Sequence, residues 1–269
     1  MPTRLCIVTG AARGFGLAIV KQYVAWIKKQ PTSNLHLVVL GRDAAQVEDL
    51  TNSLQNDKVK IQGVTGIDLT QVDKLEGNVE TLFSAAKNLK QDLCAEKYFE
   101  TILINNAGSL GDLSTSVSEY KLDLIKEYFD FNVVSFTYLC SQFLKTCDDS
   151  FTQSRTIVNI SSLLAVKAFP NWGLYAAGKA ARDQLMGVIA EENRNNNTRT
   201  LSYAPGPLDN DMQRVVRETI NDEEQRSIYS NMHHESKLVK MDDSAEKLCK
   251  LLFADNGFVS GSHIDYYDV

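Results

Sequence analysis

Short apolar runs alternate along this chain with longer stretches whose apolar residues recur every three or four positions. The runs RLCIVTG (4–10), LHLVVLG (35–41), VKIQGVTGID (59–68), TILINNAG (101–108), RTIVNISS (155–162) and RTLSYAPG (199–206) read as strands. Between them the spacing predicts helices. One runs from Phe15 to Lys29, where Leu17, Val20, Val24 and Ile27 share a face. Others follow at about 43–56, from Thr70 to Leu89, and from Gly173 to Glu192. The aromatic-rich segment from Glu119 to Cys147 reads as one long helix or two in series. The polar region 210–236 and the segment from Lys240 to Phe253 are also predicted to be helical, and the tail GSHIDYYDV offers a seventh strand.

Several of these strands lack polar alternation. A strand buried on both faces has that pattern, and parallel sheets are covered on both faces because each crossover is a helix. The expected fold is therefore α/β: one Rossmann-type domain over residues 1–269, with a doubly wound parallel sheet of about seven strands. No Pro/Gly/Ser-rich linker, repeat or low-complexity tract divides the chain. In such sheets ligands bind beyond the carboxyl ends of the strands. The residues just after each strand therefore matter most.

Composition narrows the choice. Hydrophobic residues make up 43% of the 269, enough for a full core, and the net charge is −6. An acidic balance argues against nucleic acid as the main partner, because phosphate backbones call for a basic surface. Cys6, Cys94, Cys140, Cys147 and Cys249 are scattered and odd in number, with no C-x-x-C pair. A disulfide framework or zinc site is not expected; a reducing, cytoplasmic location is. The four histidines do not join the cysteines at a metal-ligand spacing, so no metal is expected. The N-terminus runs straight into a strand without a leader pattern, and no stretch approaches the apolar length of a membrane span. The Asn-x-Ser/Thr matches at Asn159 and Asn196 would then escape glycosylation.

TGAARGFG (9–16) joins the first strand to the first helix. Gly10, Gly14 and Gly16, with Ala12, Arg13 and Phe15 between them, form a turn that lets backbone N–H groups approach a phosphate. No G-K-[ST] follows, which excludes a lysine-bearing P-loop. After the second strand an acidic residue would favour a ribose 2′-hydroxyl and an arginine a 2′-phosphate. The chain has Gly41-Arg42 there, and Arg13 stands before Gly14. The two guanidinium groups favour NADP(H), with Asp43 next door as the contrary sign. Asp68-Leu69 would border the adenine, although Asp68 serves equally well as a helix cap. Asn105-Asn106-Ala107-Gly108 would pass under the ribose.

LYAAGKAARD (174–183) sets Tyr175 four residues before Lys179, on one helical face. A free tyrosine ionises near ~10. A lysine cation one turn away is expected to favour the phenolate; a shift of about 2–3 units corresponds to roughly 3–4 kcal/mol. That would make Tyr175 a general acid for a carbonyl oxygen, with Ser162 holding the same oxygen. A lone Tyr-x-x-x-Lys is common on amphipathic helices. The glycine turn, NNAG, Ser161-Ser162 and this pair, each after its own strand, form a more specific set.

That set resembles the classical short-chain dehydrogenases/reductases over the whole chain: TGAARGFG, NNAG, a serine thirteen residues before the tyrosine, YAAGK, and Pro205-Gly206 after the sixth strand. The resemblance implies that Ser162, Tyr175 and Lys179 are catalytic and that Lys179 also binds the nicotinamide ribose. It implies that Asn132, in FDFNVV, supports a proton-relay water. The stretches INNAGSLGD (104–112), SSLLAVKAFPNWGLYAAGKAARD (161–183) and LSYAPGPLDNDMQ (201–213), with SGSHIDYYD at the C-terminus, resemble members of the family that reduce pterin side chains. The implied substrate is a small-molecule pterin. Leu208, Asp209, Asn210, Asp211, Met212 and Gln213 would then touch nicotinamide and pyrophosphate, and Ser161 and Gly206 would line the substrate site. Asp265 would anchor the pterin, accepting hydrogen bonds from its 2-amino group and ring N–H. Asp268, three residues on, is the competitor for that role, and a plain capping role is the alternative for Asp265. Trp172 and Phe169 could flank the flat ring or simply pack. The family also implies a homodimer across helices 119–147 and 173–192. A broad-specificity carbonyl reductase stays open as a second reading, and a catalytically idle NADP-binding module as a third.

Overall fold

A computed structural model describes residues 2–93, 95–254 and 257–269; Cys94 lies outside them. Among the described residues one sheet holds seven strands: β1 (Thr3–Thr9), β2 (Asn34–Leu40), β3 (Val59–Val64), β4 (Glu100–Asn105), β5 (Arg155–Ile160), β6 (Thr198–Ala204) and β7 (Ser262–Asp265). Their order is β3-β2-β1-β4-β5-β6-β7, and every pairing is parallel. The strand order reverses between β1 and β4. Neighbouring crossovers leave the sheet in opposite directions there and open a crevice at the carboxyl ends.

Burial follows position in the sheet. β5 is buried at every residue and β2 at all but its first, as strands covered on both faces require. The edge strand β3 instead exposes Lys60 and Gln62. Helices α1 (Gly14–Lys28), α2 (Ala44–Leu54) and α9 (Met241–Phe253) cover one face, around Ile19, Tyr23, Leu37, Val47 and Leu248. Helices α3 (Leu75–Gln91), α5 (Ser135–Thr146) and α6 (Gly173–Glu192) cover the other, around Leu82, Leu103, Phe143, Ile157 and Met186.

The strands stop earlier than the apolar runs. The backbone turns at Gly10 (φ 63°) and again at Gly206 (φ 76°), conformations a β-ladder cannot hold. NNAG, Ser161-Ser162 and Pro205-Gly206 thus fall on the loops that follow β4, β5 and β6. The segment expected as one or two helices is α4 (Leu122–Phe129), a single π-turn (Asp130–Val134) and α5 in series. The polar region 210–236 forms two helices, α7 (Asp211–Thr219) and α8 (Glu223–His234). Asn210 and Asp222 cap them, accepting from the backbone N–H of Gln213 and Gln225 at 2.9 and 2.8 Å.

One glycine decides how α1 meets the sheet. A Cβ on Gly16 would lie 2.1 Å from the Gly10 carbonyl oxygen and 2.6 Å from Asn106 Nδ2. Neither group can yield, because Asn106 Nδ2 already donates to the carbonyls of Thr9 and Gly10 at 3.1 and 3.0 Å. Gly16→Ala is therefore expected to destabilise the fold by about 1–3 kcal/mol through overpacking. Urea unfolding followed by circular dichroism measures this; a midpoint equal to that of the parent would show that the turn can open.

Candidate active site

The carboxyl ends of the strands open into a cleft of about 2000 Å³ that runs from the glycine turn to the C-terminal tail. At one end lie Gly10, Ala12, Arg13, Gly14 and Phe15, with Gly41, Arg42, Asp68 and Leu69 beside them. Gly14 has φ 56°, and nothing stands within 4 Å of where its Cβ would be. Helix α1 starts behind it without a side-chain cap and without an acidic residue in its first turn. Open backbone N–H groups at a helix start, bared by glycine, fit a phosphate. Arg13 and Arg42 are exposed at this end, and neither forms a salt bridge among the described residues. Asp43 lines the same end of the cleft, and its carboxylate also caps α2, Oδ1 accepting from Gln46 N at 3.1 Å. Asp68 also caps, accepting from Thr70 N at 3.0 Å and Thr70 Oγ1 at 2.9 Å. The Thr70 backbone N–H chiefly holds the Asp68 carboxyl below the usual range, and the nearby Arg42 cation adds to this.

Some expected cofactor residues sit behind the cleft wall. Gly16 packs α1 on the turn. Asn105 is buried on β4, donating to Cys140 Sγ at 3.4 Å. Asp209 is exposed outside the cleft, its N–H bonded to the Val239 carbonyl at 2.9 Å. Asn106, Ala107 and Gly108 do line the cleft. Thr9, which the sequence reading passed over, holds this loop: its Oγ1 accepts from the N–H of Asn106 and Ala107 at 3.1 and 3.0 Å. Leu208, Asn210, Asp211, Met212 and Gln213 come from the opposite wall. Gln213 is buried, and among the described residues neither of its side-chain polar atoms has a partner. A buried amide without partners suits a polar ligand, because leaving it unpaired costs about 1–3 kcal/mol. These residues together fit a nicotinamide dinucleotide.

At the centre are Ser162, Tyr175 and Lys179. Helix α6 approaches α4 closely enough that a Cβ on Gly178 would meet the Tyr128 ring at 2.7 Å. This seats Tyr175 and Lys179 in the interior; both are buried. Lys179 Nζ donates to the Ile160 carbonyl at 2.6 Å and lies 5.4 Å from the centre of the Tyr175 ring. The expectation of a depressed phenol is not met. Burial dominates and pushes the Tyr175 phenol up to about 12. The opposing pulls come from the nearby Ser162 hydroxyl and from Arg182, not from Lys179. Burial, then Arg182, drive Lys179 itself well below the usual lysine range. Tyr175 is thus held as a neutral phenol, the form that can give a proton.

Arg182 is fully buried one turn past Lys179. It donates to the carbonyls of Asn105 and Ala107 at 2.9 and 3.4 Å and stacks 4.2 Å over the Phe136 ring. Asn132 lies in the π-turn and outside the cleft wall. Its Oδ1 accepts from Ser109 N at 2.8 Å, and its Nδ2 donates to Ser109 Oγ at 3.0 Å and the Tyr128 carbonyl at 2.9 Å. In this structure it orders the loop after NNAG.

The substrate end is walled by Ser161, Gly206, Trp172, Tyr229, His263, Asp265 and Asp268. Trp172 is buried and packs on Tyr175 and Tyr229, with ring centres 5.4 and 6.0 Å apart; Phe169 is exposed at the rim. Asp265 and Asp268 cap each other's turn. Asp265 Oδ1 accepts from Tyr267 N and Asp268 Oδ2 from Asp265 N, each at 3.1 Å. Asp265 is the more enclosed of the two. Ser161 Oγ is committed to Asp183 at 2.6 Å. Arg182, Asp183 and His263 were not singled out from the sequence. The first two follow Lys179 at helical spacing and could have been. His263 depends on strand register.

Comparison with known proteins agrees with this geometry. The chain is 39% identical over 98% of its length to a sepiapterin reductase of Rattus norvegicus, covering 97% of that protein. It is 25% identical to a benzil reductase of Bacillus subtilis, with 89% of this chain and 86% of that one aligned. A solved short-chain dehydrogenase/reductase of Saccharomyces cerevisiae superposes with a TM-score of 0.76 at 25% identity, over 98% of this chain and 96% of that one. The family model described as short chain dehydrogenase matches residues 4–221, from the first strand to the end of α7, and this chain belongs to that family.

Proposed function

We propose that this protein reduces the side-chain carbonyls of pterins, such as sepiapterin and 6-pyruvoyl-tetrahydropterin, with NADPH, in tetrahydrobiopterin synthesis. One observation carries the reading. A partly enclosed carboxylate, Asp265, shares a cleft with Ser162, Tyr175 and Lys179, in a chain similar over its whole length to a sepiapterin reductase. A pterin edge offers two parallel donors, which a carboxylate accepts together.

A bound reduced nicotinamide, held by the glycine turn and the residues of the opposite wall, would supply the hydride for the carbonyl carbon. The chain's own residues supply the rest. Tyr175 gives its hydroxyl proton to the carbonyl oxygen, and the Ser162 hydroxyl donates to the same oxygen. Burial keeps Tyr175 protonated until then, while the Arg182 cation beneath it reduces the cost of the phenolate left behind. Lys179, anchored on Ile160, holds the ribose side of the site. Trp172 and Tyr229 exclude water from the reacting centre.

Arg13 and Arg42, which form no salt bridge among the described residues, support NADPH over NADH, although Asp43 stands beside them at the cleft. Leu122 on α4, Val134 in the π-turn and Val188 on α6 are exposed and support a homodimer across those helices. Cys6, Cys140, Cys147 and Cys249 are buried free thiols, which supports a reducing, cytoplasmic setting. The likeness to a benzil reductase favours a general dicarbonyl reductase as the second reading.

NADPH consumption with sepiapterin and with benzil decides between the two; a kcat/KM for benzil equal to or above that for sepiapterin would overturn the pterin reading. Asp265→Ala is expected to raise KM for sepiapterin by about tenfold or more, the effect of losing even one charge-assisted bond, while benzil turnover changes far less. A selective loss in Asp268→Ala instead would move the anchor to that residue.

Tyr175→Phe should keep NADPH binding, read by fluorescence, and lose about 10²–10⁴ in kcat, the contribution of a positioned acid. Retention of the parental kcat would remove Tyr175 from the chemistry.

Replacing Arg13 and Arg42 together with Ala should weaken NADPH at least about tenfold and NADH hardly at all, because only NADPH carries the 2′-phosphate. Equal use of both cofactors by the parent protein would refute the preference.

A further inference from the structure

The edge strand β7 pairs on one side only, with β6, over four residues. Strand register brings His263 opposite Ser202, which in turn stands opposite Asn159 on β5. The three side chains form a polar row beneath α6. Asp183, on α6, reaches down into that row. Its carboxylate accepts from Asn159 Nδ2 at 2.8 Å, from Ser161 Oγ at 2.6 Å and from His263 Nδ1 at 2.6 Å. A carboxylate only accepts, so His263 carries a proton on Nδ1. His263 Nε2 is buried without a partner, so this ring bonds through Nδ1 alone among the described residues.

The two partners lie at matched places. Asp183 follows Tyr175 by eight residues on one helix, and His263 precedes Asp265 by two on one strand. Residues two apart on a strand point to the same face. Orienting the His263 ring therefore orients the segment that carries the Asp265 carboxylate. The backbone pairing of β7 fixes its register on β6 but not its tilt toward α6.

We infer that the Asp183–His263 pair is a positioning device for substrate selection: it locks β7 to α6 and so sets the separation between the Asp265 carboxylate and the Tyr175 hydroxyl. This rests on the reading of Asp265 as the pterin anchor. A substrate gripped by its ring edge needs that separation to present its carbonyl to Tyr175. A dicarbonyl without a donor edge does not.

The test is steady-state kinetics of the full chain with sepiapterin and with benzil, for His263→Leu, His263→Asn and Asp265→Ala. Leucine removes the donor, whereas asparagine keeps an N–H near the Nδ1 position. His263→Leu should raise KM for sepiapterin about tenfold, with a smaller change in kcat and a much smaller change in kcat/KM for benzil. His263→Asn should recover most of the loss. Parallel losses on both substrates, or no recovery in His263→Asn, would reduce the pair to a structural brace and overturn the inference. A substrate-selective loss in Asp265→Ala with a parental KM in His263→Leu would keep the anchor and sink the positioning role. A parental KM for sepiapterin in Asp265→Ala would sink the anchor itself, and the inference with it.

Discussion

Helix α6 sets four ionisable side chains, the buried Tyr175, Lys179 and Arg182 and the half-buried Asp183, against β4, β5, β6 and β7, and the site is built from the partners they need. A buried charge is costly unless it is hydrogen-bonded. Lys179 takes the Ile160 carbonyl, Arg182 those of Asn105 and Ala107, and Asp183 the donors of Asn159, Ser161 and His263. Ile160, Asn105 and Ala107 stand at or just past strand ends, where backbone carbonyls are free because the ladder stops; the donors to Asp183 are side chains on β5, on the loop after it and on β7. The point where the sheet runs out is thus where the helix can be satisfied, and the same point opens the cleft.

This arrangement changes how the Tyr175–Lys179 pair is understood. A cation beside a phenol suggests an acidified tyrosine, but desolvation outweighs that attraction when both are buried. The result is a protonated Tyr175 and a lysine driven toward neutrality, with Arg182 as the cation that acts on both. For reduction a protonated donor is what the chemistry requires. Arg182 also braces NNAG from below, so one side chain links the surroundings of Tyr175 to the loop that floors the cleft.

The cofactor end is held by a second set of exchanges. Asn106 and Thr9 tie the glycine turn to the loop after β4 by four hydrogen bonds, and Gly16 permits α1 to close on them. Of the residues read as ligand contacts, Gly16 thus shapes the cradle from behind, while Asn106 both lines the cleft and ties its turn. The asparagine of the π-turn, Asn132, does the same for Ser109. Motif residues here divide into those that face the cleft and those that hold its wall, and a spacing pattern does not separate the two.

The chain alone determined the parallel α/β architecture, because hydrophobic runs without alternation can be buried only in a sheet covered on both faces. It also determined the order of motifs after successive strands, since each motif is local to one turn, and the face shared by Tyr175 and Lys179, since helical periodicity is local. The places where strands end, the split of region 210–236 and the π-turn at Asn132 were less legible, because tertiary pairing and capping set them. Asp43 stands beside Arg42 at the cleft, and only the structure shows that its carboxylate also caps α2. The direction of the Tyr175 shift came from burial, which no neighbour in sequence reports. His263 lies eighty residues from Asp183, and only the register of β5, β6 and β7 brings them together. Contacts within one helix or turn are written in the spacing of residues; contacts between strands and helices depend on how the sheet closes, and the structure alone decided those.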